Sequence, residues 1–495
     1  MGKISGLLSG LIVLIAAVGC GGGSSAPAPT PTPVSSQVFP NDEQLAQSPP
    51  VKLGTSGGNA NDLGTKVCCI GTLGSLWTHV GTTNPVVLSN NHVLDRSGQG
   101  VAGEAINQPL QLACTATGAA PPLTVAHLTQ GAALKPVANE TAGPCASDTS
   151  KAALCGQAPS NVDAAFAEIV PGQVDLSGTI LDLGPVGTTN ISPAAPSATI
   201  GAASLGEPVG KSGRTTGLTC STVQSLNVTI LINYEGKCGD TSNGIAPAFT
   251  AYFKNQVTVS GGSFSAGGDS GSLIVDTNTS RPVALLYGGN TLSTVANPIQ
   301  DVIAAFGGPA AFSIVGGGDH AVSCAKTATA AATQVGTTQS ALVPSELQRV
   351  TAVQQRRAQS LMRDFGVASV KTGPSADNPS EGALMIHISG KSVPAIPPVI
   401  DGVRTRLVFD DPSALAQLPQ VSSKQLQDAT AVKEAHVSEF LGKGIQGVGV
   451  AVSGDNPSET AIAIFVIKGS AHPAIPATLD GVRTRVFEGD RFKAY

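Results

Sequence analysis

Short apolar runs of strand length alternate with polar clusters between residues 51 and 315. The runs include PVVLS, NVTILINY, FKNQVTV and PVALLY, and the intervening clusters are rich in Gly, Asn, Pro, Ser and Thr. Enrichment in Val, Ile and Thr with a period of two is typical of β-strands. The even spacing of the runs predicts an all-β barrel or sandwich. One stretch, Asn297 to Phe306, has apolar residues at helical spacing, and we expect a helix there that closes the β region.

The pattern changes after residue 315. Residues 316–344 are small and polar, which is typical of a linker, and Cys324 within it is a candidate for a link back to the β region. Ser345 then begins the pattern S-x-x-Q, a capping-box signature. A charged amphipathic helix is therefore predicted from Ser345 to about Asp364.

The C-terminal part contains an internal repeat. Residues 377–406 recur as residues 455–485, each copy beginning with DNPSE and ending with DGVRTR. A helical pattern precedes each copy, and the second helix is predicted from Ser423 to Leu441. We therefore expect two small α/β modules, residues 345–411 and 412–495. Fold alone supplies no site, so structural or interaction modules are the favoured interpretation.

The N-terminus is typical of an export signal. Residues 1–20 contain an early lysine, an apolar stretch too short to be a good membrane span, and small residues before Cys20. The ending AVGC resembles a bacterial lipobox, and residues 20–50 form a Gly, Ser, Pro and Thr tether. A lipid on Cys20 would anchor the chain to a membrane in the cell envelope; plain secretion is the alternative.

Composition narrows the function classes. The 495 residues carry a formal net charge of −5, with 12% charged and 4% aromatic residues, and their number predicts about three structural units. Because this balance offers no basic patch, nucleic acid is not an expected partner. No cofactor is expected. No metal is expected either, since the repeat-region histidines His387, His436 and His472 do not recur at equivalent positions.

Cysteine usage favours disulfides over zinc. Beyond Cys20 the chain has an even number of cysteines and no C-x-x-C pair, in a sequence that carries an export signal. The connectivity is open from sequence. Proximity along the chain suggests Cys220 with Cys238 and Cys145 with Cys155.

The stretch SAGGDSGSLIV places Ser270 in a glycine-rich turn before an apolar run. A serine hydroxyl needs a base within hydrogen-bond reach and a third group that orients the base. His92 follows the strand-like run that ends at Leu88, and Asp163 precedes the alternating run AAFAEI. These residues predict a His-Asp-Ser triad. The weaker rival candidates are His79, His127, Asp148, Asp175 and Asp182.

The order histidine, aspartate, serine and the stretch GKSGRTTGLTC resemble the chymotrypsin-like serine peptidases, in particular the small bacterial α-lytic protease and streptogrisin group. The resemblance implies a double β-barrel in residues 51–315. It assigns the general base to His92, its orientation to Asp163, the nucleophile to Ser270 and the oxyanion hole to the main-chain N–H groups of Gly268 and Ser270. It also implies that the substrate channel is lined by the strand that carries Tyr287, Gly288 and Gly289.

Three departures from the family pattern stand out. Ser272 replaces a usual glycine, Gly210 and Lys211 replace a cysteine that would pair with Cys220, and an insertion with three cysteines separates His92 from Asp163. The resemblance places the pocket floor at residues 263–266, which include Phe264 and no acidic residue, so an uncharged substrate side chain is expected.

The sequence therefore predicts an extracytoplasmic serine endopeptidase that cleaves protein or peptide substrates through an acyl-enzyme. The alternative is a catalytically silent surface lipoprotein that keeps the peptidase fold and binds or scaffolds through its repeats. The repeats have two further candidate roles: binding a cell-surface component, and folding over the cleft as an intramolecular inhibitor of the peptidase domain.

Overall fold

The computed structural model describes residues 42–62, 70–110, 122–135, 162–185, 191–234, 249–324, 342–363, 366–389, 395–409 and 420–495. The predicted signal peptide, Cys20 and most of the tether lie outside the described residues. The same holds for Asp148 and for the remaining cysteines Cys68, Cys69, Cys114, Cys145, Cys155 and Cys238. None of the helices in the described ranges is long and apolar enough to cross a membrane.

In the described residues between 51 and 315 the regular structure is mainly β-strand, as the alternating pattern predicted. In chain order the strands are β1 (Thr55–Asn59), β2 (Gly71–Leu73), β3 (Ser75–His79), β4 (Val86–Ser89), β5 (Ala105–Gln108), β6 (Leu123–Gly131), β7 (Ala165–Ile169), β8 (Pro208–Gly213), β9 (Gly217–Tyr234), β10 (Phe249–Ser260), β11 (Leu273–Asp276), β12 (Pro282–Gly289), β13 (Ser293–Pro298) and β14 (Phe312–Ile314).

The first sheet has the order β14-β3-β4-β7-β6-β5-β1-β2. Its strands are short and antiparallel, and their apolar side chains form one large core. Aromatic rings fill that core: Trp77 stacks on Phe312 with centroids 4.6 Å apart, and Phe166 meets Phe306 edge to face at 4.9 Å. This packing fixes the adjacent ends of β4 and β7, from which two candidate site residues project.

The second sheet runs β10-β13-β12-β11-β8-β9 and continues beyond β9 into the C-terminal repeats. A separate core cluster lies under it and includes Phe264, Ile274 and Leu286, all nearly or fully buried. The turn that carries Ser270 lies between two members of this cluster, Phe264 before it and Ile274 of β11 after it.

Two short helices belong to this region, α1 (Asn91–Leu94) and α2 (Ile299–Ala305). Helix α2 confirms the helix expected within residues 297–306, and it buries Ile299, Val302 and Ile303. Helix α1 carries His92.

The pairing of Cys220 with Cys238 is wrong. Cys220 forms a disulfide with Cys324, with an S–S distance of 2.03 Å across 104 residues of sequence. The Cα atoms of this pair are 5.8 Å apart, within the range a disulfide requires. Cys324 is thus linked back to the β region, whereas a guess from sequence proximity favours short loops and cannot detect a distant partner. The pair Cys145–Cys155 lies outside the described residues.

The C-terminal elements are α3 (Pro344–Leu361), β15 (Val367–Pro374), β16 (Gly382–Ile388), β17 (Val399–Ile400), β18 (Val403–Phe409), α4 (Ser423–Phe440), β19 (Ile445–Val452), β20 (Thr460–Ile467), β21 (Thr478–Leu479), β22 (Val482–Gly489) and β23 (Lys493–Ala494). Helix α4 has the capping box of Ser422 and Gln425. Helix α3 begins one residue before Ser345, because Pro344 occupies a first-turn position where its fixed φ favours helix, so Ser345 is not the cap.

The two repeats differ in how their strands pair. The first copy forms its own sheet, in the order β15-β16-β18-β17. The second copy instead extends the second sheet, because β19 pairs antiparallel with β9, with Gly447 opposite Ile230 and Ala451 opposite Ser225. β9 pairs with β8 through its first residues and with β10 through its later ones, so one side of its later half has exposed main-chain hydrogen-bonding groups, and the repeat covers them.

The two copies also contact each other reciprocally. The Arg404 guanidinium donates to the Thr484 main-chain oxygen at 2.8 Å, and Arg483 donates to the Thr405 oxygen at 2.8 Å. Both arginines are almost fully buried. The repetition of DGVRTR in sequence thus appears in space as a matched pair of buried arginines.

We expect Arg404→Ala to lower the free energy of unfolding by about 2–3 kcal/mol, because it removes charged hydrogen bonds from a buried site. It also removes the guanidinium whose Nε atom lies 2.6 Å from the Glu381 carboxylate. Urea denaturation checks this. Lys424→Ala is the control, since its ion pair with Asp428 is on an exposed helix face and its loss should change stability by less than about 0.5 kcal/mol. Equal effects of the two substitutions would contradict the assigned role.

Candidate active site

His92 and Asp163 meet because β4 and β7 are antiparallel neighbours. Ser89, at the end of β4, lies opposite Ala165, at the start of β7. His92 follows that strand end and Asp163 precedes that strand start, so both project from one edge of the sheet. The His92 Nδ1 atom lies 2.6 Å from Asp163 Oδ2, and the His92 main-chain N–H donates to Asp163 Oδ1 at 3.2 Å.

Three further side chains hold Asp163 in place. The amide of Asn90 donates to the Asp163 main-chain oxygen at 2.7 Å, and Asn297 bonds both the N–H and the oxygen of the same residue. The Tyr234 hydroxyl donates to Asp163 Oδ2 at 2.8 Å. Sequence reasoning missed Asn297 and Tyr234, because nothing in their local patterns distinguishes them from ordinary strand residues.

The electrostatics of His92 favour its protonated form. Burial lowers the pKa of the imidazole, but the charge and hydrogen bond of Asp163 raise it, with smaller contributions from the Tyr495 main-chain oxygen and from Asp62. The net result is a pKa above the ordinary histidine value. Asp62 is itself buried, and burial raises the pKa of its carboxyl to about 7.

Ser270 lies in a tight turn whose shape requires glycine. Gly268 and Gly271 have φ values of +99° and +94°, a region that residues with a Cβ adopt only with strain. Within the described part of the chain, the main-chain N–H groups of Gly268 and Ser270 donate to no protein acceptor. Two free N–H groups beside a serine hydroxyl are the donors that an oxyanion would need.

A buried carboxylate, that of Asp269, anchors the turn. It accepts from the main-chain N–H groups of Thr215 at 2.8 Å and Ala266 at 2.9 Å, and from the Thr216 hydroxyl at 2.7 Å. The ammonium of Lys211 is fully buried and lies 3.4 Å from the same carboxylate. Lys211, which stands where the resembling family has a cysteine, thus neutralises the aspartate behind the nucleophile.

Ser272, in place of the usual glycine, fits the turn through its own hydrogen bond. Its hydroxyl donates to the Asp269 main-chain oxygen at 2.6 Å. Gly213 faces it, and a Cβ at position 213 would collide with the Ser272 hydroxyl. A glycine on β8 therefore makes room for the serine in the turn, and the positive φ of Gly268 and Gly271 is retained.

The Ser270 hydroxyl and the His92 imidazole both contact one main-chain oxygen, that of Tyr495. The Ser270 Oγ donates to it at 3.0 Å, and the His92 Nε2 atom lies 2.9 Å from it. Ser270 Oγ also lies 3.2 Å from the Tyr287 main-chain oxygen. The structure thus brings His92, Asp163 and Ser270 together around the end of a strand of the same chain.

The rival residues lie elsewhere. His79 is in β3 and packs against Phe166 at 4.8 Å, and His127 is on β6 with an exposed side chain. Asp175 accepts hydrogen bonds from Ser177 in a loop. Among the described residues, none of these three bonds to Ser270.

Similarity to known proteins is limited to structures. No protein-family model matches the chain, and no curated protein sequence is similar to it. Similar solved structures include a glutamic acid specific serine protease (18% identity, covering 53% of this chain and 100% of that chain, TM-score 0.32). Thermobifida fusca Protease A (14%, 54% and 99%, TM-score 0.32) and Nocardiopsis protease (14%, 53% and 98%, TM-score 0.32) are also similar. At these TM-scores the similarities do not indicate a function. The function is therefore inferred from the side chains of the site.

Proposed function

We propose that the protein is a serine endopeptidase that cleaves peptide bonds through an acyl-enzyme formed on Ser270. One observation carries this proposal: the Ser270 hydroxyl and the His92 Nε2 atom converge on a single main-chain oxygen, at 3.0 and 2.9 Å, while Asp163 holds the opposite side of the imidazole. In the proposed triad the serine hydroxyl bonds the imidazole directly, and that bond forms when the Tyr495 oxygen, which both groups now contact, moves away.

In the proposed mechanism, neutral His92 accepts the Ser270 proton as the oxygen attacks the substrate carbonyl. Asp163 keeps the Nδ1 proton in place and stabilises the imidazolium that forms. The N–H groups of Gly268 and Ser270 bind the developing oxyanion. His92 then donates its proton to the leaving amine, which leaves the acyl-enzyme. In the second half of the reaction His92 takes a proton from water as the water attacks the acyl group. His92 returns that proton to the Ser270 oxygen, which releases the carboxylic acid product.

The cellular setting is part of the proposal and rests on sequence. A signal peptide with a lipid on Cys20 would hold the peptidase at a membrane in the cell envelope, and plain secretion remains the alternative. The disulfide between Cys220 and Cys324 supports an oxidising compartment. Globomycin, which blocks lipoprotein signal processing, would cause the precursor to accumulate if Cys20 is lipidated.

Burst kinetics test the proposed acyl-enzyme. In a chain lacking residues 493–495, whose main-chain oxygen contacts Ser270 and His92 in the full chain, a p-nitrophenyl ester should release about one equivalent of nitrophenol in a rapid first phase, followed by slower turnover. Ser270→Ala in that chain should remove the burst. A folded chain lacking residues 493–495 that gives no burst would contradict the proposal.

The pH profile should show the raised pKa of His92. Only neutral imidazole can accept the serine proton, so kcat/KM should rise as pH increases through a pKa above the ordinary histidine value. Asp62, with a pKa of about 7, titrates in the same range, and Asp163 is the other acid facing the ring. The measurement is kcat/KM from pH 5 to 9, with Asp62→Asn separating the two titrations. An acid limb below the ordinary histidine pKa would contradict the assignment.

A further inference from the structure

The last strand of the chain lies along the strand expected to bind substrate. β23 runs antiparallel to β12, with Ala494 opposite Gly288 and Lys493 opposite Gly289. The Tyr495 N–H points to the Tyr287 main-chain oxygen at 3.3 Å. An extended peptide that adds a strand to a sheet edge in this way gains affinity from main-chain hydrogen bonds and specificity from side-chain pockets.

Two glycines leave the space that this strand fills. A Cβ at position 288 would lie 2.5 Å from the Lys493 main-chain oxygen. A Cβ at position 289 would lie 2.9 Å from the Cζ atom of the Tyr495 ring and closer still to its hydroxyl. The absence of side chains at Gly288 and Gly289 therefore admits both the backbone of β23 and the aromatic ring that follows it.

The Tyr495 side chain is partly buried next to Gly289. The ring packs against the core cluster that contains Phe264 and Val259. Burial raises the pKa of the Tyr495 phenol, and a hydrogen bond with Ser265 opposes that shift. Apolar neighbours and one hydroxyl partner suit a tyrosine-like side chain better than a charged one, and the Asp269 carboxylate, whose charge also raises the pKa of the phenol, disfavours an acidic side chain.

The segment is held firmly on both sides. Phe492 is fully buried, its N–H donates to Gln446 Oε1 at 2.8 Å, and its main-chain oxygen accepts from Asn233 at 3.1 Å. Gln446 lies on β19, the strand through which the second repeat joins β9. The repeat thus keeps Tyr495 next to the site at a high effective concentration, which favours occupancy without a strong intrinsic affinity.

We propose that residues 491–495 are a built-in, substrate-like inhibitor, and that the site selects peptides with a tyrosine-like residue on the acyl side of the cleaved bond and a small residue before it. The substrate preference follows from the inhibitory role, since Tyr495 and Ala494 occupy the positions that the corresponding residues of such a peptide would take. This inference rests on the proposed endopeptidase function. Peptide bonds would be cut only when the segment leaves the channel.

The test compares four proteins: the full chain, Tyr495→Ala, Tyr495→Phe and a chain lacking residues 493–495. Each of the variants keeps Phe492 in the core, and a thermal melt checks that each is folded. The readout is the second-order rate of Ser270 labelling by a fluorophosphonate. We expect the shortened chain to label at least about tenfold faster than the full chain, because it removes both the ring and the main-chain oxygen that contacts Ser270 and His92. Tyr495→Ala removes the ring alone and should label at a rate between those of the full and the shortened chain. Tyr495→Phe keeps the ring and should stay close to the full chain.

Peptides provide the second arm. Added to the shortened chain, Phe-Lys-Ala-Tyr should inhibit, whereas Phe-Lys-Ala-Glu should not. Nitroanilides ending in Ala-Tyr should be cleaved at least about tenfold better than those ending in Ala-Glu or Ala-Lys.

The outcomes separate the two proposals. Equal labelling rates in all four proteins would overturn the inhibitory role and leave the peptidase intact. Preference for Glu or Lys in the nitroanilides would overturn the assigned selectivity. Absence of labelling in every folded protein would overturn the endopeptidase function itself, and the inference with it.

Discussion

Ser270→Ala is expected to lower kcat for peptide hydrolysis by about 10⁶, the largest effect that any single substitution in the chain should have. The Ser270 hydroxyl is the one proposed to form the acyl bond, since the other hydroxyl of the turn, that of Ser272, donates to the Asp269 main-chain oxygen. The methyl side chain of alanine fits where the serine stood, and the glycine φ values and the hydrogen bonds of Asp269 do not involve the Ser270 hydroxyl. The fold should therefore survive the change.

The measurement for this variant is kcat on a tyrosyl peptide nitroanilide, in a chain that also lacks residues 493–495, so that no main-chain oxygen of the C-terminal strand contacts Ser270 and His92. Ser423→Ala is the matched control, because it removes an exposed hydroxyl at the first residue of α4. The control should retain full activity. Residual activity of the Ser270 variant within tenfold of its parent would show that another group performs the chemistry.

Asp163→Asn is expected to lower kcat by about 10⁴ while leaving the fold intact. The main-chain bonds of residue 163 to Asn90 and Asn297 do not use the carboxylate, so the position of the residue should be kept. The asparagine amide, however, can donate to the His92 Nδ1 atom, and the imidazole proton then moves to Nε2. A protonated Nε2 atom cannot accept the proton of Ser270. The substitution also removes the charge that holds the His92 pKa up, so the imidazole pKa should fall.

Asp175→Asn is the control for this second prediction. It removes a carboxylate that lies in a loop and accepts hydrogen bonds from Ser177, and activity should not change. If Asp175→Asn and Asp163→Asn reduced kcat equally, Asp163 could not be the residue that orients His92.

Sequence could identify the candidate site because its residues lie at recognisable ends of strands. His92 follows an apolar run, Asp163 precedes another, and antiparallel pairing of β4 with β7 brings them together. The glycines around Ser270 likewise have a local reason, the positive φ values of the turn. Each of these features depends on a short stretch of sequence, so it can be predicted from that stretch alone.

Features that depend on distant contacts could not be found in this way. Asn297 reaches Asp163 across 134 residues, Cys220 reaches Cys324 across 104, and Tyr495 reaches Ser270 across 225. The repeat was visible in sequence, but its second copy joins the second sheet because the β9 edge is available, and no pattern inside the repeat encodes that edge. Tertiary pairing, rather than local propensity, decided each of these outcomes.

Covalent labelling of Ser270 is the decisive measurement of the proposed peptidase chemistry. A fluorophosphonate is added at neutral pH to the full chain, to the chain lacking residues 493–495 and to the Ser270→Ala form of each, and the modified residue is mapped by mass spectrometry of the digested proteins. The proposed peptidase predicts one adduct, on Ser270, that forms faster in the shortened chain and is absent from both Ser270→Ala forms. An adduct on another residue, or none in a folded chain lacking residues 493–495, would contradict it.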